Sequence, residues 1–233
     1  MEFYYTPKQY ISSGTLAIVD DEAKHLGRVL RKQPGEEIYV TDGEGSVFRC
    51  KINTISKELI DCNVIEKLSS LNEPKMKINL YQSLIKNPDR FEFAVEKAVE
   101  LGVHTIHPVI TEHVINKTTN KTERWQSIAL AAMKQSQRCM LPKVFEPLHF
   151  AEALKVANGE LKLIADEKEN ELRISTADII VPISTIDVFI GPEGGFTAGE
   201  TELAAAHGFK VLSLGPRKFR SETAAIYVIS KLI

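Results

Sequence analysis

The sequence predicts an α/β protein in two parts, a short strand-rich amino-terminal domain and a larger domain in which strands and helices alternate. Three observations carry that prediction. Residues 1–72 hold closely spaced β-branched runs joined by turn residues. The polar stretch Ser69-Ser70-Leu71-Asn72-Glu73-Pro74 then breaks the pattern. Beyond it the alternation is that of a mainly parallel sheet covered by helices. Domains are therefore expected at 1–72 and 73–233.

In the first domain, Glu37-Ile38-Tyr39-Val40, Val47 to Ile52 and Leu59 to Ile65 read as strands. The turn-rich Asp42-Gly43-Glu44-Gly45-Ser46 separates the first two as a hairpin loop would. One helix is expected from Asp21 to Lys32, with Asp20 as its N-cap and Pro34-Gly35 after its end.

In the second domain, Lys77 to Tyr81 reads as a strand. A helix follows, with Asn87 as N-cap, Pro88 at its first position and Gly102 past its end. Phe91, Val95, Ala98 and Val99 form its apolar face. Thr105 to Ile110 is a strand in which Pro108 suggests a bulge or an edge position. A long helix is expected over Lys121–Met140, with Trp125, Ile128, Ala129, Ala132 and Met133 inward. Leu161 to Ala165 and Asp187 to Ile190 are buried strands. Thr197-Ala198-Gly199-Glu200 is a capping box opening a helix that Gly208 closes. Lys210 to Leu214 is the last strand, and Ser221 is placed to cap the carboxyl-terminal helix.

Bulk properties exclude several classes. A formal net charge of -2 rules out a general polycation, so any nucleic-acid surface must be a local patch. Residues 1–72 carry 9 Lys+Arg against 11 Asp+Glu, so the charge is not concentrated there either. Cys50, Cys62 and Cys139 are far apart and form no CxxC pair, which speaks against a thiolate zinc site and for a reducing compartment. The first residues do not read as a signal peptide, and no apolar run approaches the roughly 20 residues of a membrane span. A cytoplasmic protein without a membrane segment is expected. His104, His107 and His113 lack an acidic cluster and the spacing of a shared site, so no metal is expected.

Two loops follow the carboxyl ends of the last two strands, the edge where open α/β sheets bind ligands. The first is Ile190-Gly191-Pro192-Glu193-Gly194-Gly195-Phe196, the second Leu214-Gly215-Pro216-Arg217-Lys218-Phe219-Arg220-Ser221-Glu222-Thr223. Glycines let backbone approach a ligand closely, although a lone glycine-rich loop serves as readily for a tight turn. The GxGxxG spacing of a dinucleotide site is missing, and Glu193 would meet a pyrophosphate with like charge. A neutral or cationic ligand fits better, and S-adenosylmethionine has a positive sulfonium and no phosphate. Arg217, Lys218 and Arg220 stand directly before a helix and would attract an anion such as a nucleic-acid phosphate. Lys24, Arg28 and Arg31 recur at helical spacing, which in most proteins is a solvated face but can also track phosphates.

These motifs together resemble a known family. Gly191-Pro192-Glu193-Gly194-Gly195-Phe196 and Leu214 to Ala224 closely resemble the two carboxyl-terminal motifs of the 16S ribosomal RNA (uracil-N3)-methyltransferases, in the SPOUT superfamily. His25-Leu26-Gly27-Arg28-Val29-Leu30-Arg31, Pro34-Gly35 and Asp42-Gly43 resemble that family's amino-terminal PUA-like domain. Lys97 to Val103 and Gln135-Ser136-Gln137-Arg138 match its middle motifs. Lys24 stands where the family usually has a His, and Lys218-Phe219 where it has Ile or Val followed by Leu.

The resemblance implies a small PUA-like β-barrel domain followed by an α/β SPOUT domain with a trefoil knot. It implies a homodimer that uses S-adenosylmethionine to methylate ring nitrogen 3 of a uridine in 16S RNA, within the small ribosomal subunit. Cofactor contacts are expected from Ile190, Gly191, Pro192, Glu193, Gly194, Gly195, Leu212, Leu214, Gly215, Arg217 and Phe219. RNA contacts are expected from Lys24, His25, Arg28, Arg31 and Arg138. Arg220 is the expected stabiliser of negative charge on the uracil, with Glu222 holding it or handling the proton. The rival readings are a non-catalytic RNA-binding protein on the same fold and a related enzyme methylating ribose 2′-OH.

Overall fold

A computed structural model describes residues 2–115, 120–166, 175 and 183–233. The chain divides into two compact units, Met1–Glu73 with Met133–Leu141, and Pro74–Ala132 with Pro142–Ile233.

The first unit contains β1 (Phe3–Tyr5), β2 (Ile11–Ser12), β3 (Thr15–Val19), α1 (Asp20–Lys24), β4 (Glu37–Thr41), β5 (Ser46–Ile55) and β6 (Leu59–Ser69). The strands form one sheet in the order β1-β4-β5-β6-β3-β2, parallel only between β1 and β4 among the described residues. Alternate residues of these strands point inward. Leu16, Ile18, Ile38, Val40, Cys50, Ile52, Ile60 and Cys62 are buried together with Ala23 and Leu26. Burial pushes the thiols of Cys50 and Cys62 up to about 12, so both behave as small apolar side chains.

The helix expected over Asp21–Lys32 is much shorter. It starts one residue earlier, with Val19 as N-cap, and Asp20 takes φ +56°. After Lys24 the chain widens into a π-helical turn over His25–Val29, closed by Leu30 N–H donating to His25 O. Arg31 then turns left-handed at φ +54°, which ends the element.

The second unit contains β7 (Lys77–Ser83), α2 (Pro88–Glu100), β8 (Thr105–Ile110), α3 (Thr122–Gln135), β9 (Lys143–Val144), β10 (Leu148–His149), α4 (Phe150–Val156), β11 (Leu161–Ala165), β12 (Thr185–Ile190), α5 (Ala198–Ala206), β13 (Lys210–Leu212) and α6 (Ser221–Leu232). From Met133 onward α3 counts with the first unit. The strands are all parallel among the described residues, in the order β10-β8-β7-β12-β11-β13, with β9 also on β8. Phe150, Ala153, Leu154, Phe196, Ala204 and Phe209 pack with Tyr81, Val109, Ile164, Phe189 and Val211, which covers one face with α4 and α5. On the other face α6 lies on β7 and β12 and packs against α2.

The caps of α2 and α5 follow from their sequences. Asn87 Oδ1 accepts from Asp89 N–H, Pro88 fills the first helical position, and Gly102 takes φ +98° just beyond the end. Thr197 and Glu200 cap each other's backbone. Pro108 corrects the expectation of a bulge or edge. It sits in register with Gln82 inside the sheet. On the outer side, β9 pairs with Thr105–Ile106 and β10 with Val109–Ile110, so the neighbouring strand is broken opposite Pro108. The missing N–H falls where little pairing is lost. The long helix also ends early, at Gln135, because Gln137 is left-handed at φ +57°. Trp125, Ala129, Ala132 and Met133 are buried as expected, while Ile128 is only partly covered.

At the amino-terminal end of this sheet a polar chain crosses three strands. Gly159 N–H donates to Asp187 Oδ2, and Asn79 Nδ2 donates to Asp187 Oδ1. The Thr105 hydroxyl spends its single proton on Asn79 Oδ1, so it must accept from His107 Nε2–H at 3.0 Å. That fixes the neutral Nε2–H tautomer of His107, whose ring stacks between Tyr81 and Phe145. Burial, helped by the Lys143 charge, pushes its pKa down to about 4.

Candidate active site

The carboxyl ends of β11, β12 and β13 open into one cleft. It is lined by Ala165 and Asp166 after β11, by Ile190 to Glu193 and Gly195 after β12, and by Ser213, Leu214, Gly215 and Arg217 to Phe219 after β13. Ser221 and Ala224 of α6 complete it. Nine residues expected at the cofactor, Ile190, Gly191, Pro192, Glu193, Gly195, Leu214, Gly215, Arg217 and Phe219, are brought together here.

Two are not. Leu212 is fully buried within β13, where its carbonyl accepts from Asp166 N–H. Gly194 is not among the residues lining the cleft, and a Cβ there would lie 3.0 Å from His113 Cβ, a tight approach that favours glycine. Ala165, Asp166, Ser213, Lys218, Ser221 and Ala224 also line the cleft, although they were not among the expected cofactor contacts. Asp166 had a signal, since it directly follows a predicted strand at the ligand-binding edge.

The two loops are held by different devices. Gly195 and Gly215 take φ +68° and +91°, which a side chain would strain. Beneath the first loop, Ser221 Oγ donates to Gly191 O at 2.5 Å and accepts from Gln82 Nε2 at 2.8 Å. Ser221 is therefore the first residue of α6, and Arg220 is its N-cap. The expected capping role of Ser221 is corrected, because its hydroxyl is spent on the neighbouring loop. Gln82 Oε1 has no hydrogen-bond partner among the described residues.

Charges of both signs line the cleft. The Glu193 carboxylate lies 3.2 Å from Lys86 N–H and 3.5 Å from Arg90 Nη1. Arg217 and Arg220 are exposed and have no ion pair among the described residues. Glu222 is not held by Arg220. Arg90 Nε and Nη2 grip it bidentately at 2.9 and 2.6 Å. Burial alone would raise the Glu222 carboxyl, but the Arg90 hydrogen bonds, its own backbone N–H and the Arg90 and Arg220 charges hold it below the ordinary value. This argues against Glu222 as a proton acceptor. Arg90 was missed because it lies 132 residues from its partner, and no local motif joins them.

The expected RNA residues separate. His25, Arg28 and Arg31 are exposed, and Lys24 pairs with Asp21 at 2.9 Å. The π-helical turn and left-handed Arg31 break the straight stripe. Arg138 is engaged within the first unit. It is 3% exposed and its Nη2 lies 2.7 Å from Glu73. Glu73 also accepts from the backbone of Cys139 and Met140, so the Arg138–Glu73 pair braces the first unit. No group of three or more metal-holding side chains occurs among the described residues.

Residues 72–233 match an RNA methyltransferase domain, and residues 18–65 match an RNA methyltransferase PUA domain. The chain belongs to the ribosomal RNA small subunit methyltransferase E family. The Aquifex aeolicus member is 32% identical, across 100% of this chain and 99% of its own. The Bacillus subtilis member is 29% identical, across 97% and 93%. A Neisseria gonorrhoeae member of the family, crystallised bound to S-adenosyl methionine, superposes with a TM-score of 0.89 at 34% identity, covering 99% of this chain and 95% of that one. The fold is therefore that of the family, a PUA-like sheet followed by a parallel-sheet methyltransferase domain.

Proposed function

We propose that this chain transfers a methyl group from S-adenosylmethionine to ring nitrogen 3 of a uridine in 16S ribosomal RNA, as a cytoplasmic homodimer acting within the small subunit. The observation that carries the reading is one cleft lined by the Glu193 carboxylate and the Arg217 guanidinium, with exposed Arg220 lying in sequence between the lining residues Phe219 and Ser221, and with no ion pair to either arginine among the described residues. A cationic cofactor and a nucleobase gaining negative charge are the pair such a cleft suits. Family membership supports the same chemistry.

The residues present fit the cofactor. Ile190, Pro192, Leu214, Phe219 and Ala224 give apolar surface for an adenine, and the loop glycines leave backbone open for polar contacts. Glu193 and Asp166 supply negative charge toward a sulfonium or an amino group. Gln82 Oε1, without a donor behind Ser221, is a buried acceptor that a bound polar group or water would satisfy. When bound, S-adenosylmethionine supplies a methyl group on a good leaving group, so the chain's task is alignment.

Arg220 is placed to stabilise the charge that spreads to the uracil carbonyl oxygens once nitrogen 3 loses its proton. Arg220 stays protonated and the Glu222 carboxylate is a weak base, so that proton passes to water. His25, Arg28 and Arg31 contribute phosphate contacts from the first unit. The loops after β12 and β13, with α6 leaving beside them, are the segments we assign to the trefoil knot.

The test is methyl transfer from labelled S-adenosylmethionine to undermethylated small subunits and to naked 16S RNA, followed by nucleoside analysis. A 3-methyluridine product is expected, with assembled subunits the better substrate. A 2′-O-methylated nucleoside would replace this reading with the ribose one. Absence of both transfer and cofactor binding would leave only RNA binding.

A further inference from the structure

Arg90 occupies the third position of α2. A cation in a first helical turn opposes the helix dipole, so its location calls for compensation. The compensation is the fork on Glu222, with a weaker reach to Glu193. Glu222 is the second residue of α6, its side chain is 10% exposed, and it stands two residues from Arg220. Arg220 is exposed and carries no side-chain hydrogen bond or ion pair among the described residues.

From this arrangement we propose that Arg90 is a positioning residue, which neutralises Glu222 so that Arg220 stays available to the substrate. The proposal rests on the methyltransferase reading. Its physical content is a competition between two guanidinium groups for one carboxylate. A nearly buried carboxylate without a partner is costly, so on losing Arg90 it captures the nearest cation. That cation is Arg220, whose charge already bears on it. Captured, Arg220 points at Glu222 rather than at the base. Arg90 has the advantage because its planar fork meets both carboxylate oxygens at once.

The experiment compares the full-length parent with Arg90→Ala, Glu222→Gln and the double variant. Turnover on small subunits at saturating S-adenosylmethionine is read beside cofactor affinity by calorimetry. Arg90→Ala is expected to lose on the order of 10²-fold in kcat, the scale of a misplaced catalytic group, with cofactor affinity little changed. The double variant is expected to recover to the level of Glu222→Gln alone, because glutamine has no charge with which to hold Arg220. A brace that merely supports the fold gives a double variant no better than Arg90→Ala, and that result overturns the proposal. Parent-like kcat in Arg90→Ala overturns it as well.

Nitrogen-labelled arginine side-chain NMR on the protein alone gives a readout without turnover. Arg220 Nε–H is expected to be mobile in the parent, ordered in Arg90→Ala and mobile again in the double variant. Continued mobility in Arg90→Ala counts against the proposal. If the parent transfers no methyl group, the functional reading fails, while this second readout still decides what Arg90 does. Should Arg90→Ala not fold, Arg90→Lys keeps the charge and loses the fork. A kcat loss in it that Glu222→Gln removes supports the proposal, and a loss that persists overturns it.

Discussion

Ser221 Oγ gives its proton to the carbonyl oxygen of Gly191 and takes one from Gln82 Nε2. One hydroxyl thus joins the end of β7, the loop after β12 and the first turn of α6. All three residues sit at the carboxyl edge of the sheet, and Ser221 and Gly191 line the cleft.

Ser221→Ala removes the part-buried bond to Gly191 O and one of the two acceptors of the buried Gln82 amide, which keeps Ser83 O. Unfolding free energy is expected to fall by about 1–3 kcal/mol, the usual penalty for such groups. Cofactor affinity should fall with it, since Gly191 is released. Denaturant titration and calorimetry read the two effects, and parent values in both would show that the hydroxyl holds nothing.

Arg220→Ala should leave cofactor affinity intact and cut kcat by roughly 10²–10³, the scale for removing one charge-stabilising donor. Single-turnover methyl transfer measures it. An equal loss of cofactor affinity would place Arg220 at the cofactor rather than the base.

His107 predicts a pH dependence of stability. Its folded pKa is depressed to about 4 from the ordinary 6.5. Between those values the unfolded chain binds a proton that the folded chain does not, so stability is lost as pH falls through that window. His107→Phe keeps the stack with Tyr81 and Phe145 and cannot titrate. Its Tm should fall less steeply between pH 6.5 and 4, and an unchanged slope would remove His107 as the cause.

Arg138→Ala and Arg28→Ala should separate bracing from RNA contact. The first breaks a pair buried against Glu73 and should cost on the order of 3–5 kcal/mol of stability. The second should leave stability alone and lower the salt dependence of RNA binding by about one phosphate contact. A stable Arg138→Ala protein with a reduced salt slope would restore the RNA role to Arg138.

Where signals were local, the sequence was readable. Asn87, Pro88 and Gly102 mark both ends of α2 because each acts on backbone a few residues away. Thr197 and Glu200 do the same for α5. The cleft was readable because its walls are two short loops at predicted strand ends. What failed was decided at long range. Whether Glu222 pairs with Arg220, two residues off, or with Arg90, 132 residues off, depends on how α2 packs against α6. Ser221 has the residue type of an N-cap, yet a part-buried carbonyl of another loop claims its hydroxyl. Arg138 carries a charge that reads as surface until Glu73 is found beside it. The helix after Asp20 has continuous periodicity, and nothing in that pattern announces the π-helical turn at His25.

The separation of Gln82 from Ser221 along the chain, 139 residues, also has a bearing on synthesis. Domains fold largely in the order in which they emerge. The first unit's sheet is complete by Ser69, long before α6 exists. The loop after β12 cannot be pinned, nor Arg90 quenched, until Ser221 and Glu222 have left the ribosome. The first unit's sheet can therefore form before the cleft does. The cleft is assembled only once α6 has been synthesised.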